Sequence, residues 1–511
     1  MNVKLPIVVG CIAVSAAGAL AEKVGGIVID TDRSVNCATA RTIVADVTAG
    51  CKNDREKAVA IYNFVVRTVW MPHVFGHPQE MFGKRLRAIR EPLKIINVYG
   101  SIGCGSQAEI FLTLLNEAGI QGRLLSPGFA HMSNEVKWDG KWHWMDVWLP
   151  CYLTDEKGRI YSYDELMADR SLITKAVKAR RVSENFMFNP GPDIKGLANA
   201  KKHRPHRAGS GVLKCNYVED LSLRPGESVT WLWDNVGKWY WPGEKYAFPA
   251  FKFSTAANCK EAFPYWEPYK KVLPGGPHPW SNVHYRYYSN AVFVAAPPLT
   301  RAGLTALGAK LRNVGFGAGG LEPRNSAAAA VEMSFRLPYV IADTEVAGDV
   351  ELGEGAGVTF EYSIDGGKTW KVAKRVETTG PFKVGLGKPN SRAYPAGTTS
   401  GQYGFELRVT VRPGKTGRTV LKDLKIINVT MLNSYSRPWL EVGDNKVTVT
   451  SSSAKALAGR PLKITWKWLE DWTKPKSFTH TAGKSGATCL IKVGGTKRPK
   501  MQSISIACPA S

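Results

Sequence analysis

The sequence predicts a multidomain α+β protein, in which a mixed helical and stranded N-terminal domain is followed by β-sandwich domains. At 511 residues the chain is too long for one hydrophobic core. Apolar residues follow a helical spacing in the N-terminal third, and alternating, strand-like runs dominate from about residue 211. The 50 glycines and 30 prolines indicate the many turns that all-β domains need.

The first 21 residues are typical of an export signal. Lys4 provides a basic start, residues 5–20 carry no charged side chain, and Ala19-Leu20-Ala21 forms a small-x-small cleavage site. We therefore expect a signal peptide over residues 1–21 and a secreted or periplasmic (cell-envelope) protein. An uncleaved anchor and a lipid anchor at Cys11 are the alternatives.

The chain is strongly basic, with 68 Lys and Arg against 43 Asp and Glu, a net charge of +25. Such a charge attracts polyanions. No nucleic-acid motif accompanies it, so for an exported protein we expect an acidic polysaccharide or an envelope surface as partner rather than nucleic acid. A solvated, solubilising charge is equally consistent with the sequence. The oligomeric state is not predicted.

Eight cysteines follow the predicted cleavage site, and none forms a C-x-x-C pair. No zinc or redox site is therefore predicted, and no metal or cofactor. Export permits disulfides. The pairs nearest in sequence are Cys37 with Cys51 and Cys489 with Cys508.

Residues 22–190 are predicted to form the first domain. A capping box at Asn53–Glu56 begins one helix, whose apolar residues are Ala58, Ile61, Tyr62, Val65 and Val69. A second helix begins at Cys104, with Ala108, Phe111, Leu112 and Leu115 on one face and Gly119 at its end.

Four further segments follow the first domain. We expect a basic linker over residues 191–210, a β-rich region over 211–329, a β-sandwich over 330–432 and a small β domain over 434–511. Ser363–Trp370 resembles the Asp-box hairpin of sialidase propellers. As a single copy it predicts a turn with a packed tryptophan.

Cys104 is placed to act as a nucleophile. At a helix N-terminus, free N–H groups and the helix dipole lower a thiol pKa, and Gly103 and Gly105 leave room for a substrate backbone. Cysteine catalysis also needs a base and a group that orients the base.

One predicted hairpin supplies both partners. Asp139-Gly140 is a strong two-residue turn signal between two strands, residues 130–138 and 141–148. Paired positions then sum to 279, which places His131 and Asp146 on one face as diagonal neighbours and turns His143 to the other face.

These residues resemble the transglutaminase-like core, a G-x-C-x-x-x-A helix, an H-x-x-x-E-V strand and a W-x-x-x-D strand in this order. The corresponding residues are Gly103–Ala108, in which the glycine directly precedes Cys104, His131–Val136, Trp142 and Asp146. The resemblance covers residues 50 to about 165 and implies a papain-like or transglutaminase-like α+β domain. Ser133 and Val147-Trp148 depart from the family pattern.

The resemblance implies that Cys104 attacks a carbonyl carbon, His131 moves protons and Asp146 holds the imidazole. It predicts an exported thiol hydrolase, a peptidase or amidase, that acts on a protein or peptide amide. A protein-crosslinking transglutaminase and a non-catalytic scaffold that binds an acidic polysaccharide or the envelope are the alternatives. Tyr99 is proposed as a second oxyanion donor.

Overall fold

The computed structural model describes residues 23–69, 78–83, 85–126, 131–183, 206–208, 211–240, 289–391, 393–452, 454–483 and 487–510. The predicted signal peptide and most of the predicted basic linker lie outside these residues. Within them the chain is mostly β-sheet. No helix among the described residues combines the length and the apolar character needed to cross a membrane.

The N-terminal part mixes helices with short strands. Its helices are α1 (Ala40–Val47), α2 (Asp54–Thr68), α3 (Pro92–Lys94), which continues into a π-helical turn (Ile95–Tyr99), α4 (Cys104–Glu117), α5 (Tyr163–Ala168) and α6 (Ser171–Lys178). Its strands are β1 (Val28–Thr31), β2 (Gln79–Phe82), β3 (Arg85–Ala88), β4 (Gly122–Ser126), β5 (Ser133–Trp138), β6 (Lys141–Met145) and β7 (His206–Ala208). Four of these strands form an antiparallel sheet in the order β6-β5-β4-β7.

Helices α2 and α4 pack together with the apolar faces that the sequence predicts, whereas only half of the predicted capping box forms at the start of α2. The side-chain oxygen of Asn53 accepts the Glu56 N–H at 2.9 Å, and the Glu56 carboxylate accepts the Lys52 N–H at 2.7 Å. The first bond caps an N–H of the first turn, and the second holds the N–H of the residue before the N-cap. After α4 the chain turns at Gly119, with φ of +75°. The predicted apolar residues of both helices are buried.

The secondary structure of the rest of the described chain consists mainly of strands. The strands are β8 (Glu227–Leu232), β9 (Ser289–Ala295), β10 (Lys310–Arg312), β11 (Val314–Gly317), β12 (Gly320–Pro323), β13 (Ala329–Arg336), β14 (Ile341–Glu351), β15 (Gly357–Ser363), β16 (Lys371–Val376), β17 (Gly380–Gly385), β18 (Gly404–Arg412), β19 (Val420–Leu432), β20 (Gly443–Thr450), β21 (Leu462–Glu470), β22 (Lys474–Ala482), β23 (Ala487–Val493) and β24 (Lys500–Cys508). Short helices α7 (Arg301–Ala306) and α8 (Ala454–Gly459) and a 3-10 turn (Ser434–Ser436) interrupt them.

Two sheets face each other as a sandwich. One has the order β10-β13-β18-β15-β16, and the other runs β11-β12-β19-β9-β8-β24-β21-β22, with β14 joined to β19 and β17 to β14. Phe360 and Val409 of the first sheet share a hydrophobic core with Phe382 and Leu424 of the second. Burying one apolar face of each sheet against the other is what stabilises such a pair of layers.

Strand pairing crosses the predicted domain boundaries. Strand β8 pairs with β24, β9 with β19, and β1 with β20, which also pairs with β23. Strand β7, inside the predicted linker, is the edge strand of the N-terminal sheet. Segments that the sequence assigns to separate units therefore contribute strands to common sheets, because pairing partners far apart in sequence leave no local signal.

The Ser363–Trp370 motif is a turn between β15 and β16, as predicted. The Asp365 carboxylate accepts the N–H of Thr369 at 2.9 Å and its hydroxyl at 2.6 Å. The Trp370 indole donates to the Gly367 carbonyl at 3.0 Å, and the guanidinium of Arg408 lies 3.7 Å from the ring centre. These contacts hold the turn and pack the tryptophan.

Candidate functional site

Cys104 is the first residue of α4, and its side chain is half-buried. Gly103 is the N-cap and provides no side-chain hydrogen bond, so free N–H groups of the first turn face the thiol end of the helix. Space near the thiol is open, because a Cβ on Gly105 would meet only Met132, at 3.7 Å. The predicted nucleophile therefore lies at a helix tip, as the sequence indicated.

His131 and Asp146 are in direct contact. The Nε2 of His131 lies 2.5 Å from Oδ2 of Asp146, and both side chains are buried. The His131 side chain also hydrogen-bonds the Cys104 thiol. Because Nε2 faces Asp146, Nδ1 is the nitrogen left for the sulfur. The structure thus brings all three predicted site residues together.

The hairpin between the two partners has the predicted turn and register. Asp139 and Gly140 both have positive φ, 50° and 73°, as a two-residue type I′ turn requires. The pairs run from Trp138 with Lys141 to Asn134 with Met145, each summing to 279.

The predicted strands are too long at the site end. The ladder ends at Asn134 and Met145, so His131 lies two residues before β5, and Asp146 bridges Cys151 instead of Ser133. The reason is that Oδ1 of Asp146 accepts the N–H groups of Trp148 and Leu149, at 3.0 and 2.8 Å. These bonds turn the chain out of the strand. They also hold Asp146, leaving Oδ2 for the imidazole.

The electrostatics of the site favour an ion pair between sulfur and imidazole. Burial raises the pKa of Cys104, but the hydrogen bond and charge of His131 outweigh it and leave that pKa below the ordinary value. Burial likewise lowers the pKa of His131, but the charge and hydrogen bond of Asp146, with the bond to Cys104, raise it to about 10. Both shifts favour a thiolate beside an imidazolium over the neutral pair.

His143 does not belong to this group. Its ring stacks on Trp138 with centroids 3.7 Å apart, and Nδ1 donates to the Ile160 carbonyl at 2.7 Å. Burial lowers the pKa of His143, so it is a packed core histidine. The structure thus places His131, and not His143, beside Cys104 and Asp146.

Tyr99 is not placed as an oxyanion donor. Its side chain is fully buried, and its hydroxyl donates to Oε1 of Glu80 at 2.8 Å. Glu80 also accepts the Tyr403 hydroxyl at 2.5 Å and the Lys94 ammonium at 2.8 Å. Tyr99 is therefore part of a buried polar cluster that joins the N-terminal part to the residue directly before β18.

Two further residues support the site, and sequence reasoning missed the first of them. Nε2 of Gln107, one turn after Cys104, donates to the carbonyls of Val69 and Val147, at 2.8 and 3.1 Å. Trp148 packs against His131 with ring centroids 5.3 Å apart. The sequence offered one signal for Gln107, a polar amide one turn after the nucleophile on the same helix. The contact of Trp148 with His131 depends on the turn at Asp146.

The other cysteines form no disulfide among the described residues: Cys37, Cys51, Cys104, Cys151, Cys215, Cys489 and Cys508 are free thiols. The sequence-adjacent pairs that export would permit are therefore not bonded, and Cys259 lies outside the described residues. In the same part of the chain, no group of three or more His, Cys, Asp or Glu residues is arranged to hold a metal ion.

Comparison with known proteins yields only weak structural likenesses. No protein family profile and no curated protein matches the chain. A β-D-mannosidase from Dictyoglomus thermophilum has 8% identity and a TM-score of 0.13, covering 36% of this chain and 24% of its own. A glycosyl hydrolase family 2 member from Bacteroides cellulosilyticus has 10% identity and a TM-score of 0.13, covering 36% and 24%.

A secreted protein of Parabacteroides distasonis, described as putative, has 7% identity and a TM-score of 0.15, covering 39% of this chain and 79% of its own. The chain thus spans about a quarter of the length of the two glycosidases. At these TM-scores the likenesses carry no argument about function.

Proposed function

We propose that this chain is an exported thiol enzyme that cleaves an amide bond, as a peptidase or amidase, with a transglutaminase-like N-terminal domain. The observation that carries the proposal is the contact of His131 with both Asp146 and Cys104 at the tip of α4. Nucleophile, base and orienting group are the three parts that cysteine catalysis requires.

The reaction follows from the protonation states. The Cys104 thiolate attacks the carbonyl carbon, and N–H groups at the start of α4 stabilise the oxyanion. The His131 imidazolium then protonates the leaving amine, which departs and leaves a thioester. His131, now neutral, takes a proton from water, the resulting hydroxide attacks the thioester, and the acid product leaves as the thiolate reforms.

Asp146 stabilises the imidazolium and fixes its orientation. Each oxygen of Asp146 has a separate role. Oδ1 accepts two backbone N–H groups, which fix the carboxylate, and Oδ2 contacts Nε2 of His131. A carboxylate held in this way needs no reorganisation when charge develops on the ring.

Hydrolysis is favoured over transfer to an amine because water is always present as acceptor. Crosslinking of a protein amine would use the same thioester, so the two reactions differ only in the second nucleophile. The proposal also includes export of the protein. Its net charge of +25 would attract it to an acidic polysaccharide or an envelope surface.

Active-site labelling with iodoacetamide near pH 7.5 tests the thiol, with modified residues identified by mass spectrometry. Cys215 is an internal comparison, since it is also half-buried. Burial and the nearby Glu91 and Glu117 raise its pKa to about 11. We expect rapid labelling of Cys104, little of Cys215, and loss of the rapid phase in His131→Ala.

Labelling of Cys104 at the rate of the denatured chain would contradict the enzyme proposal and favour the non-catalytic scaffold. A peptide amide library, with and without a primary amine, then separates the two reactions. Release of a free acid supports hydrolysis, and incorporation of the amine supports crosslinking.

A further inference from the structure

A cavity of about 450 Å³ lies away from Cys104, His131 and Asp146, between α2 and the β-rich part of the chain. We propose that it binds a small amphipathic carboxylate, with an apolar body and one anionic head. Five segments line it: residues 35–47 around α1, residues 60–68 of α2, residues 233–234, residues 434–441, and residues 498–501 at the start of β24.

The walls of the cavity are mostly apolar. Phe64, Trp233, Trp439 and Met501 are among the lining side chains. Its volume falls in the range of about 300–1,000 Å³ that is typical of small-molecule sites. Apolar walls around a space of this size lack contact partners that an apolar ligand would supply. A sugar would bring many hydroxyl groups that such walls leave unpaired.

The lining also includes charged side chains. Three cations (Arg67, Arg498 and Lys500) and two carboxylates (Asp234 and Glu441) line the cavity. Asp234 is exposed at the surface. The lining described therefore carries a surplus of positive charge.

Arg498 is held by neighbouring side chains of the lining. Nη2 of Arg498 lies 3.0 Å from Oε1 of Glu441, and its guanidinium is 4.8 Å from the ring centre of Trp439. Burial and then the charge of Arg67, against the opposing effect of Glu441, lower the pKa of Arg498. A ligand carboxylate between the guanidiniums relieves this repulsion and can accept two parallel hydrogen bonds.

The lining also contains a buried donor. The hydroxyl of Tyr435 is inaccessible to water and has no hydrogen-bond partner in the part of the chain that the structure describes. A buried hydroxyl without a partner is costly. An acceptor atom on a polar ligand head would satisfy this hydroxyl.

Decanoate and decan-1-ol form a matched pair of probes, since they share one apolar chain and differ in the charged head. Because Trp233 and Trp439 line the cavity, intrinsic fluorescence reports binding to the intact protein, and calorimetry gives the dissociation constant. We expect decanoate to bind the wild-type chain at least about tenfold more tightly than decan-1-ol, the factor for one charged hydrogen bond.

Two variants locate the site. Ala60 lies on the cavity wall and is partly exposed, so Ala60→Phe fills the space and is expected to abolish binding of both probes. Arg67→Gln is expected to weaken decanoate about tenfold and to leave decan-1-ol unchanged. Arg55→Gln, an exposed arginine on the same helix, is the control and should bind as wild type.

Three results would overturn the proposal: no decanoate binding to the wild-type chain, equal affinity for the two probes, or unchanged binding in a folded Ala60→Phe variant. The relative affinity of the wild-type chain for decanoate and decan-1-ol tests the proposal even where a variant does not fold. None of these measurements uses the Cys104 thiol, so the result is independent of the proposed enzyme activity.

Discussion

The guanidinium of Arg437 and the carboxylate of Glu219 form a two-bond ion pair although 218 positions separate them. The N–O distances are 2.5 and 2.8 Å. Arg437 also donates to Oδ1 of Asn97, at 2.6 Å, and to the Tyr339 hydroxyl, at 3.0 Å. Asn97 lies in the π-helical turn shortly before α4, so the arginine links the candidate site to the β-rich part.

We expect Arg437→Met to lower the free energy of unfolding by about 3–5 kcal/mol, because it leaves the Glu219 charge buried without its main partner. Urea unfolding followed by tryptophan fluorescence measures the change. Arg336→Met is the control. Arg336 pairs with Glu406 at 2.5 Å but is 63% exposed, so a loss of about 0–1 kcal/mol is expected. Equal losses for the two variants would show that burial does not strengthen the Arg437 contact.

The rate of Cys104 alkylation should depend on pH as its lowered pKa requires. Because the thiolate is the reacting form, the rate for wild type should reach half its plateau below pH 9.0, the ordinary thiol value. His131→Ala removes the hydrogen bond and charge that lower this pKa, while burial remains. Its midpoint should therefore move upward, above that of wild type.

Stopped-flow reaction with iodoacetamide over pH 5–10 measures both midpoints. The Cys215 thiol, with its pKa raised to about 11, should stay slow over most of this range. Coinciding midpoints for wild type and His131→Ala would refute a direct effect of the imidazole on the sulfur.

Asp146→Asn should reduce Cys104 labelling near pH 7 at least about tenfold, because the neutral amide no longer favours the imidazolium. It should also lower the free energy of unfolding by about 1–3 kcal/mol through the lost charged hydrogen bond. Asp139→Asn, the same change at the exposed tip of this hairpin, is the matched control and should be neutral, since asparagine tolerates positive φ.

The stability loss of Asp146→Asn should vary with pH in a defined direction. The pKa of His131 is raised to about 10 from an ordinary 6.5. Its stabilising contribution is therefore complete below pH 6.5 and lost as pH rises through about 10. Unfolding by urea at pH 6.5 and pH 10 measures it, and a larger loss at pH 10 would contradict this sign.

Gly140→Ala should destabilise the protein by about 1–2 kcal/mol through its positive φ alone. An added Cβ would meet nothing within 4 Å, and φ is +73°. Gly385 is the matched control, since its Cβ position is equally open and φ is not in the left-handed region. Thermal unfolding should show Gly385→Ala neutral or slightly stabilised, and equal effects at both positions would mean that the turn conformation is not the cause.

Much of the candidate site could be predicted because its determinants are local. The Asp139-Gly140 turn sets the hairpin register, and His131 and Asp146 lie just beyond the end of that ladder. The start of α4 at Cys104 follows from the glycines and from the apolar spacing after it. The predicted ends of the two hairpin strands were wrong. The N–H groups of Trp148 and Leu149 bond to Asp146 only when the chain leaves the sheet there.

The sequence by itself therefore determined the helices α2 and α4, the hairpin and the predominance of strands, because periodicity and turn residues act over a few positions. Only the tertiary structure decided that β8 pairs with β24 and β1 with β20, that Arg437 meets Glu219, and that a cavity opens beside α2. Such partners lie hundreds of residues apart. They are selected by which apolar faces and which charges can be buried together, and that choice involves the whole chain at once.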